Sequence, residues 1–176
     1  MTNRYLIAVQ DELALKYNDQ SVLESMHCSK TFEIMLKEEN SICSHYTNED
    51  WAVIRKIIVT MILATDMAKH FDMVVSFRNN YLHKKHELTN LNNFDERLTV
   101  LTMAIKWADI GHSAKRNDLH VKWSNAICEE FFTQGDIERE KGLPISMFCD
   151  RETVNFAASQ SGFIKNLAMP LFLGLN

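Results

Sequence analysis

The chain has 176 residues, enough for one domain with its own core, and 46% of them are apolar, which excludes a disordered segment. A formal charge of -4, with Lys and Arg scattered along the chain, argues against nucleic acid or an anionic membrane surface as the main partner. Only five Gly and two Pro interrupt it, so long periodic stretches remain and an all-α domain is expected.

In chain order, residues 5–9 and 13–17 have the spacing of short helical pieces, and Asn18-Asp19 marks a turn. Ser21 is placed to cap a helix whose apolar positions are Val22, Leu23, Met26, Phe32, Met35 and Leu36. Thr47 followed by Asp50 has the form of a capping box, with Asp in the place of the preferred Glu. The run 57–64 behind it is apolar nearly all round, which predicts a central, buried helix continuing through His70 to about Phe77. That run is too short to span a bilayer, so no membrane segment is expected. Residues 79–93 are polar and Asn-rich and read as the longest loop, with His83 and His86 solvated within it.

Asp95 is the expected cap of the next helix, with Leu98, Leu101, Ile105 and Ala108 as its core stripe and Gly111 as its end. Leu119, Trp123, Ile127 and Phe131 define another helix, with a break expected near Gly135. Gly142-Leu143-Pro144 is a stop signal, residues 145–149 a loop, and helix resumes over 153–163 until Pro170 kinks or terminates it. The four cysteines, Cys28, Cys43, Cys128 and Cys149, have no CxxC spacing, which favours reduced thiols in an intracellular compartment over a zinc ribbon. Residues 1–12 lack the basic start and apolar run of a signal peptide.

Asp109 falls on the face that carries Leu98 and Ile105, at the C-terminus of its helix, where the dipole disfavours negative charge. A carboxylate there calls for a compensating cation, either a metal ion or a basic neighbour such as Lys115 or Arg116. Asp66 and His70, four apart, form a polar cluster with Thr65 that suits a metal, a proton relay or a hydrogen-bonded packing pair. Glu24 and His27, three apart, read either as an acidic support for a metal site or as a solvated pair. Ile127 with Phe131, and Gln160 with Phe163, are each about one turn apart. Facing each other they would form an apolar slot with one amide, suited to a purine; ordinary core packing is the alternative.

The stretches ELALKYND (12–19) with SVLE (21–24), ILATDMAKH (62–70), ADI (108–110), EEFFTQGD (129–136) and SQSGFI (159–164) resemble, in order and spacing, the catalytic domain of the class I 3',5'-cyclic nucleotide phosphodiesterases. The resemblance covers nearly the whole chain. It implies a multi-helix domain of the HD-type phosphohydrolase kind. It also implies two divalent metal ions, zinc with magnesium or manganese, whose bridging hydroxide attacks a cyclic phosphate, and a histidine that protonates the leaving oxygen. On this resemblance Asp109 is a metal ligand. Gln160 grips the purine edge, Phe163 and Ile127 are the walls of a base clamp, and Phe131 is an aromatic beside it. Glu24 and Thr65 support the metal waters and the catalytic histidine, while Asp66 and His70 have a structural role.

The chain also departs from the family pattern. Thr2-Asn3 resembles the last two residues of a His-x-Gly-x-x-Asn element, which puts Asn3 among the nucleotide-binding residues. The other metal ligands and the general-acid histidine are expected upstream of it. Residues 1–176 therefore read as a single partial domain, truncated at both ends and inactive or nearly so by itself. His112 stands where many members have Asn and bears on nucleotide preference; Met147 stands where many have Pro. The substrate implied is a cyclic purine nucleotide, cAMP or cGMP, with a homodimer as a further expectation. The place implied is the cytoplasm or the cytoplasmic side of a membrane. The alternative is a non-catalytic nucleotide-binding or regulatory helical module.

Overall fold

The computed structural model describes residues 1–82 and 93–173, and all regular structure among them is helical. The described chain divides into two compact units, Thr2–Lys106 and, separately, Met1 with the chain from Trp107 on.

In the first unit, α1 (Asn3–Ala8) is capped by Thr2, whose Oγ1 accepts from the Tyr5 amide, and α2 (Glu12–Lys16) by Asp11 in the same way. The turn that follows puts Asn18, Asp19 and Ser21 at positive φ. Asn and Asp tolerate that region; Ser does so less readily. Ser21 therefore does not cap α3 (Val22–Met35) with its side chain as expected. Its hydroxyl donates instead to Asp66 Oδ2 at 2.7 Å. The cap of α3 comes from Asn3, whose Oδ1 accepts from the Leu23 amide at 2.8 Å.

Helix α4 (Asn48–Leu63) starts with the expected capping box, Thr47 and Asp50 bonding each other's backbone. It packs on α3, with Trp51 edge-on to the buried Phe32 at 5.9 Å and the Arg55 guanidinium 4.2 Å over the same ring. The central, fully buried helix does not materialise: residues 57–63 are half-buried all along, and only Ala64 at the end is buried. Nor does the helix run on to Phe77. Asp66 turns the chain, its Oδ1 accepting from the Ala68 amide at 2.9 Å, and a 3-10 turn (Met67–Lys69) leads into α5 (His70–Phe77). The expected loop begins with a π-helical turn, Arg78–Leu82. The rest of it, His83 and His86 included, lies outside the described residues.

The cap of α6 (Phe94–Asp109) is Asn93, whose Oδ1 accepts from the Glu96 amide at 2.8 Å; Asp95 pairs with Lys56 at 3.7 Å. Its buried stripe is Leu98, Thr102, Met103 and Lys106, rotated from the one expected, while Leu101 and Ala108 are exposed. The rotation is tolerable because the buried polar groups are satisfied: Thr102 donates to Leu98 O at 2.7 Å and Lys106 Nζ to Ala64 O at 2.9 Å.

In the second unit, a 3-10 turn (Gly111–Ala114) packs on α7 (Asn117–Glu140). This helix passes through Gly135 without a break. Gly135 is there for space: a Cβ would lie 1.9 Å from the carbonyl oxygen of Cys149. That close approach is locked by Glu138, buried, which accepts from Gln134 Nε2 at 2.9 Å, the Ser146 amide at 2.6 Å and Ser146 Oγ at 2.7 Å. Gly142, at φ +67, ends the helix as its composition indicates. Helix α8 (Phe156–Phe163) starts at its cap Asn155, three residues later than expected. A π-helical turn (Ile164–Ala168) joins it to α9 (Met169–Phe172). Pro170 stands in the first turn of α9, directly after the π-helical turn, and the helix continues past it to Phe172 rather than ending there. Trp107 donates to Leu171 O at 2.9 Å, tying the start of this unit to its end.

Candidate functional site

Gln160 and Phe163 lie on one face of α8. The Gln160 side chain is half-buried, and its Oε1 is shielded from solvent with no hydrogen-bond donor. A buried amide oxygen in that state costs on the order of 1–3 kcal/mol, which a donor from a ligand would recover. The Phe163 ring lies 5.9 Å from His112, the planes within 17°. His112 in turn meets His120, with Nδ1 atoms 3.2 Å apart. Burial, and secondarily the charge of His120, pulls the His112 imidazole below its ordinary value of 6.5. The structure thus brings two of the expected nucleotide-binding residues together and adds His120, which nothing in its spacing announced. A partner eight residues away across a helix–turn–helix junction leaves no periodic trace.

Ile127 and Phe131 follow each other on α7, Ile127 exposed and Phe131 half-buried. Leu119 and Trp123, the other members of that stripe, are 38% and 59% exposed, so the stripe is open on its outer side.

Asp109 is the last residue of α6 and is exposed, against the expectation of a buried carboxylate. Position 109 keeps the face of Leu98 and Thr102, but it is the terminal residue of the helix, and the stripe stays buried only as far as Lys106. Arg116, one of its candidate partners, is held by Asp118 at 2.7 and 2.9 Å.

Asn3, Glu24 and Thr65 belong to the first unit. Asn3 Nδ2 donates to Glu24 Oε2 at 2.8 Å, so one amide both caps α3 and steadies the acid. Thr65 donates to Ile62 O at 2.8 Å, and His27 is exposed. Asp66, bound by Ser21 and capping the turn before the buried His70, has the structural role expected of it. Two open clefts in this unit, of about 470 and 440 Å³, contain none of the expected site residues.

Among the described residues no group of three or more His, Cys, Asp or Glu side chains could hold a metal ion. A two-metal centre needs several converging ligands, and Asp109 alone does not fit one.

The family model described as 3'5'-cyclic nucleotide phosphodiesterase matches residues 1–176, so it runs through both units. The chain belongs to that family. It is 36% identical over 169 residues to a probable 3',5'-cyclic phosphodiesterase, pde-1, of Caenorhabditis elegans, covering 96% of this chain and 24% of that protein. It is 39% identical to the dual specificity calcium/calmodulin-dependent 3',5'-cyclic nucleotide phosphodiesterase 1B of Mus musculus, covering 97% of this chain and 30% of that one. Among solved structures it is similar to the phosphodiesterase domain of the Salpingoeca rosetta rhodopsin phosphodiesterase. There the TM-score is 0.91 and the identity 31%, over 99% of this chain and 53% of the other. The chain thus spans about a quarter to a third of the curated relatives and about half of the structural one.

Proposed function

We propose that the protein containing this chain hydrolyses a 3',5'-cyclic purine nucleotide, cAMP or cGMP, to the 5'-monophosphate in signal transduction, and that residues 107–173 hold the base. The observation that carries this reading is the Gln160 amide oxygen with no donor, on the same helical face as Phe163. Once the side chain turns to bring that oxygen outward, a purine edge supplies the missing donor, and the Phe163 ring supplies a stacking face. Turning the amide exchanges Oε1 for Nε2, so one glutamine serves adenine or guanine. Ile127, exposed on α7, is the opposite wall, with Phe131 beside it.

Asp109 is proposed as the one metal ligand this chain contributes, with Glu24 and Thr65 as supporting groups and Asn3 as the residue that orients Glu24. Zinc with magnesium or manganese remains the expected pair in the parent enzyme. The described residues do not by themselves hold it, so the 176-residue chain is proposed to be inactive or nearly so. No helix among the described residues is long and apolar enough to cross a membrane. An intracellular location, a single partial catalytic domain over residues 1–176 and a homodimer are part of the same reading.

The test is hydrolysis of radiolabelled cyclic nucleotide by the protein of the complete reading frame, with zinc and magnesium present. Asp109→Ala should abolish turnover and leave the far-UV spectrum unchanged. Full activity of Asp109→Ala would remove Asp109 from the reading, and Asp109-dependent turnover by the 176-residue chain would overturn its proposed inactivity.

A further inference from the structure

His112 stands in the turn Gly111–Ala114, and His120 in the first turn of α7. Their Nδ1 atoms are 3.2 Å apart, their ring centres 5.2 Å apart, and their planes within 9°. The difference between the two distances is close to twice the radius of an imidazole. The Nδ1 atoms therefore lie between the ring centres, and the rings approach by their edges with nearly parallel planes. One proton fits: one ring donates Nδ1–H and the other accepts.

This arrangement counts protons. The donor ring has a bare Nε2, so a first added proton goes there and leaves the bond intact. The accepting ring has only its Nδ1 left. A second added proton puts two N–H groups head-on and breaks the pair. The charged residues nearest the pair in the chain are Asp109, Lys115, Arg116, Asp118 and Lys122, all exposed; those further along α7 begin at Glu129, and α8 carries none. Arg116 and Asp118 are engaged with each other. The charge that acts on His112 is that of His120, in the same direction as its burial. On its other side His112 meets Phe163.

We propose that His120 is a positioning residue for the base slot: by sharing one proton with His112 it holds that imidazole against Phe163, and the hold is released when both rings are charged. This rests on the reading of Phe163 as a slot wall. The consequence is a slot that loosens in acid, below the first protonation of the pair.

The experiment is a pH titration of the ¹⁵N-labelled chain by nuclear magnetic resonance, for the unsubstituted protein and His120→Phe, with cAMP binding measured across the same range. A coupling between the two Nδ1 nuclei across the hydrogen bond is expected, with two separated titration steps. The Phe163 ring signals should hold through the first step and shift at the second. Binding of cAMP should weaken about 2- to 10-fold over the second step and in His120→Phe, the worth of one ring–ring contact. Independent titration of the two rings, or Phe163 signals indifferent to both the second step and the substitution, would overturn the proposal. If His120→Phe does not fold, the titration of the unsubstituted chain decides. Absence of cAMP binding at every pH would sink the slot reading, while the ring signals separately decide whether the pair holds Phe163.

Discussion

Replacing Gly135 by Ala is the sharpest test of how the second unit is built. An added Cβ would meet the Cys149 carbonyl oxygen at 1.9 Å and its carbon at 2.6 Å, whereas ordinary contact begins at 3.4 Å. The segment carrying Cys149 must therefore retreat by about 1.5 Å. It cannot do so cheaply, because Ser146 bonds Glu138 twice and Asp150 binds Arg139 at 2.8 Å. Forced overpacking costs about 1–3 kcal/mol, and each loop hydrogen bond broken adds about 1 kcal/mol. The helix preference of Ala over Gly returns about 1 kcal/mol. A net loss of about 3 kcal/mol is expected, read as a lower urea midpoint in far-UV circular dichroism. Gly162→Ala is the control: its nearest neighbour, Asn166 Nδ2, is 4.0 Å away, so the same substitution there should stabilise by roughly 0.5–1 kcal/mol. If Gly135→Ala is as stable as the parent chain, the close approach of α7 to Cys149 is wrong.

Asn3→Ala removes the cap of the Leu23 amide and the bond to Glu24, and should cost about 1–2 kcal/mol in the same assay. Asn3→Asp should keep the cap but set two carboxylates together, so an effect smaller than that of Ala at low pH and larger at neutral pH is expected. His112 is held below 6.5 in the folded chain, so folding favours its neutral form. Its contribution to stability is therefore fully present above 6.5 and is lost as pH falls through the lowered value. Urea midpoints between pH 5 and 7 should show that slope, and His112→Phe should flatten it. Burial raises the Cys149 thiol to about 11, with Glu138 adding to it. Cys149 should thus resist thiol reagents at pH 8 until urea is added, as followed by mass spectrometry of the labelled peptides.

The helices themselves were legible because their signals are local. The Thr47–Asp50 box, the Gly142 stop and the short pieces before residue 18 each follow from neighbouring side chains and backbone groups. What escaped was decided by distant groups. Ser21 turned away from its helix because Asp66, far along the chain, accepts its hydroxyl. Gly135 read as a breaker because the segment that needs its missing Cβ comes fourteen positions later. The α6 stripe was misplaced because Thr102 and Lys106 count as polar, yet both are buried once Leu98 O and Ala64 O accept their hydrogens. Of the candidate site, Gln160, Phe163 and His112 were readable as residues, but the His112–His120 bond was not, since it depends on how a turn folds back on the next helix.

The claim on which the rest turns is that Gln160 takes the edge of a purine. Isothermal titration of cAMP and cGMP into the 176-residue chain, beside Gln160→Ala, tests it most directly. The account predicts saturable binding of both nucleotides, weakened about tenfold or more by the substitution, as expected when a buried amide that pairs with the ligand is removed. Equal affinity in Gln160→Ala and the parent chain would contradict it.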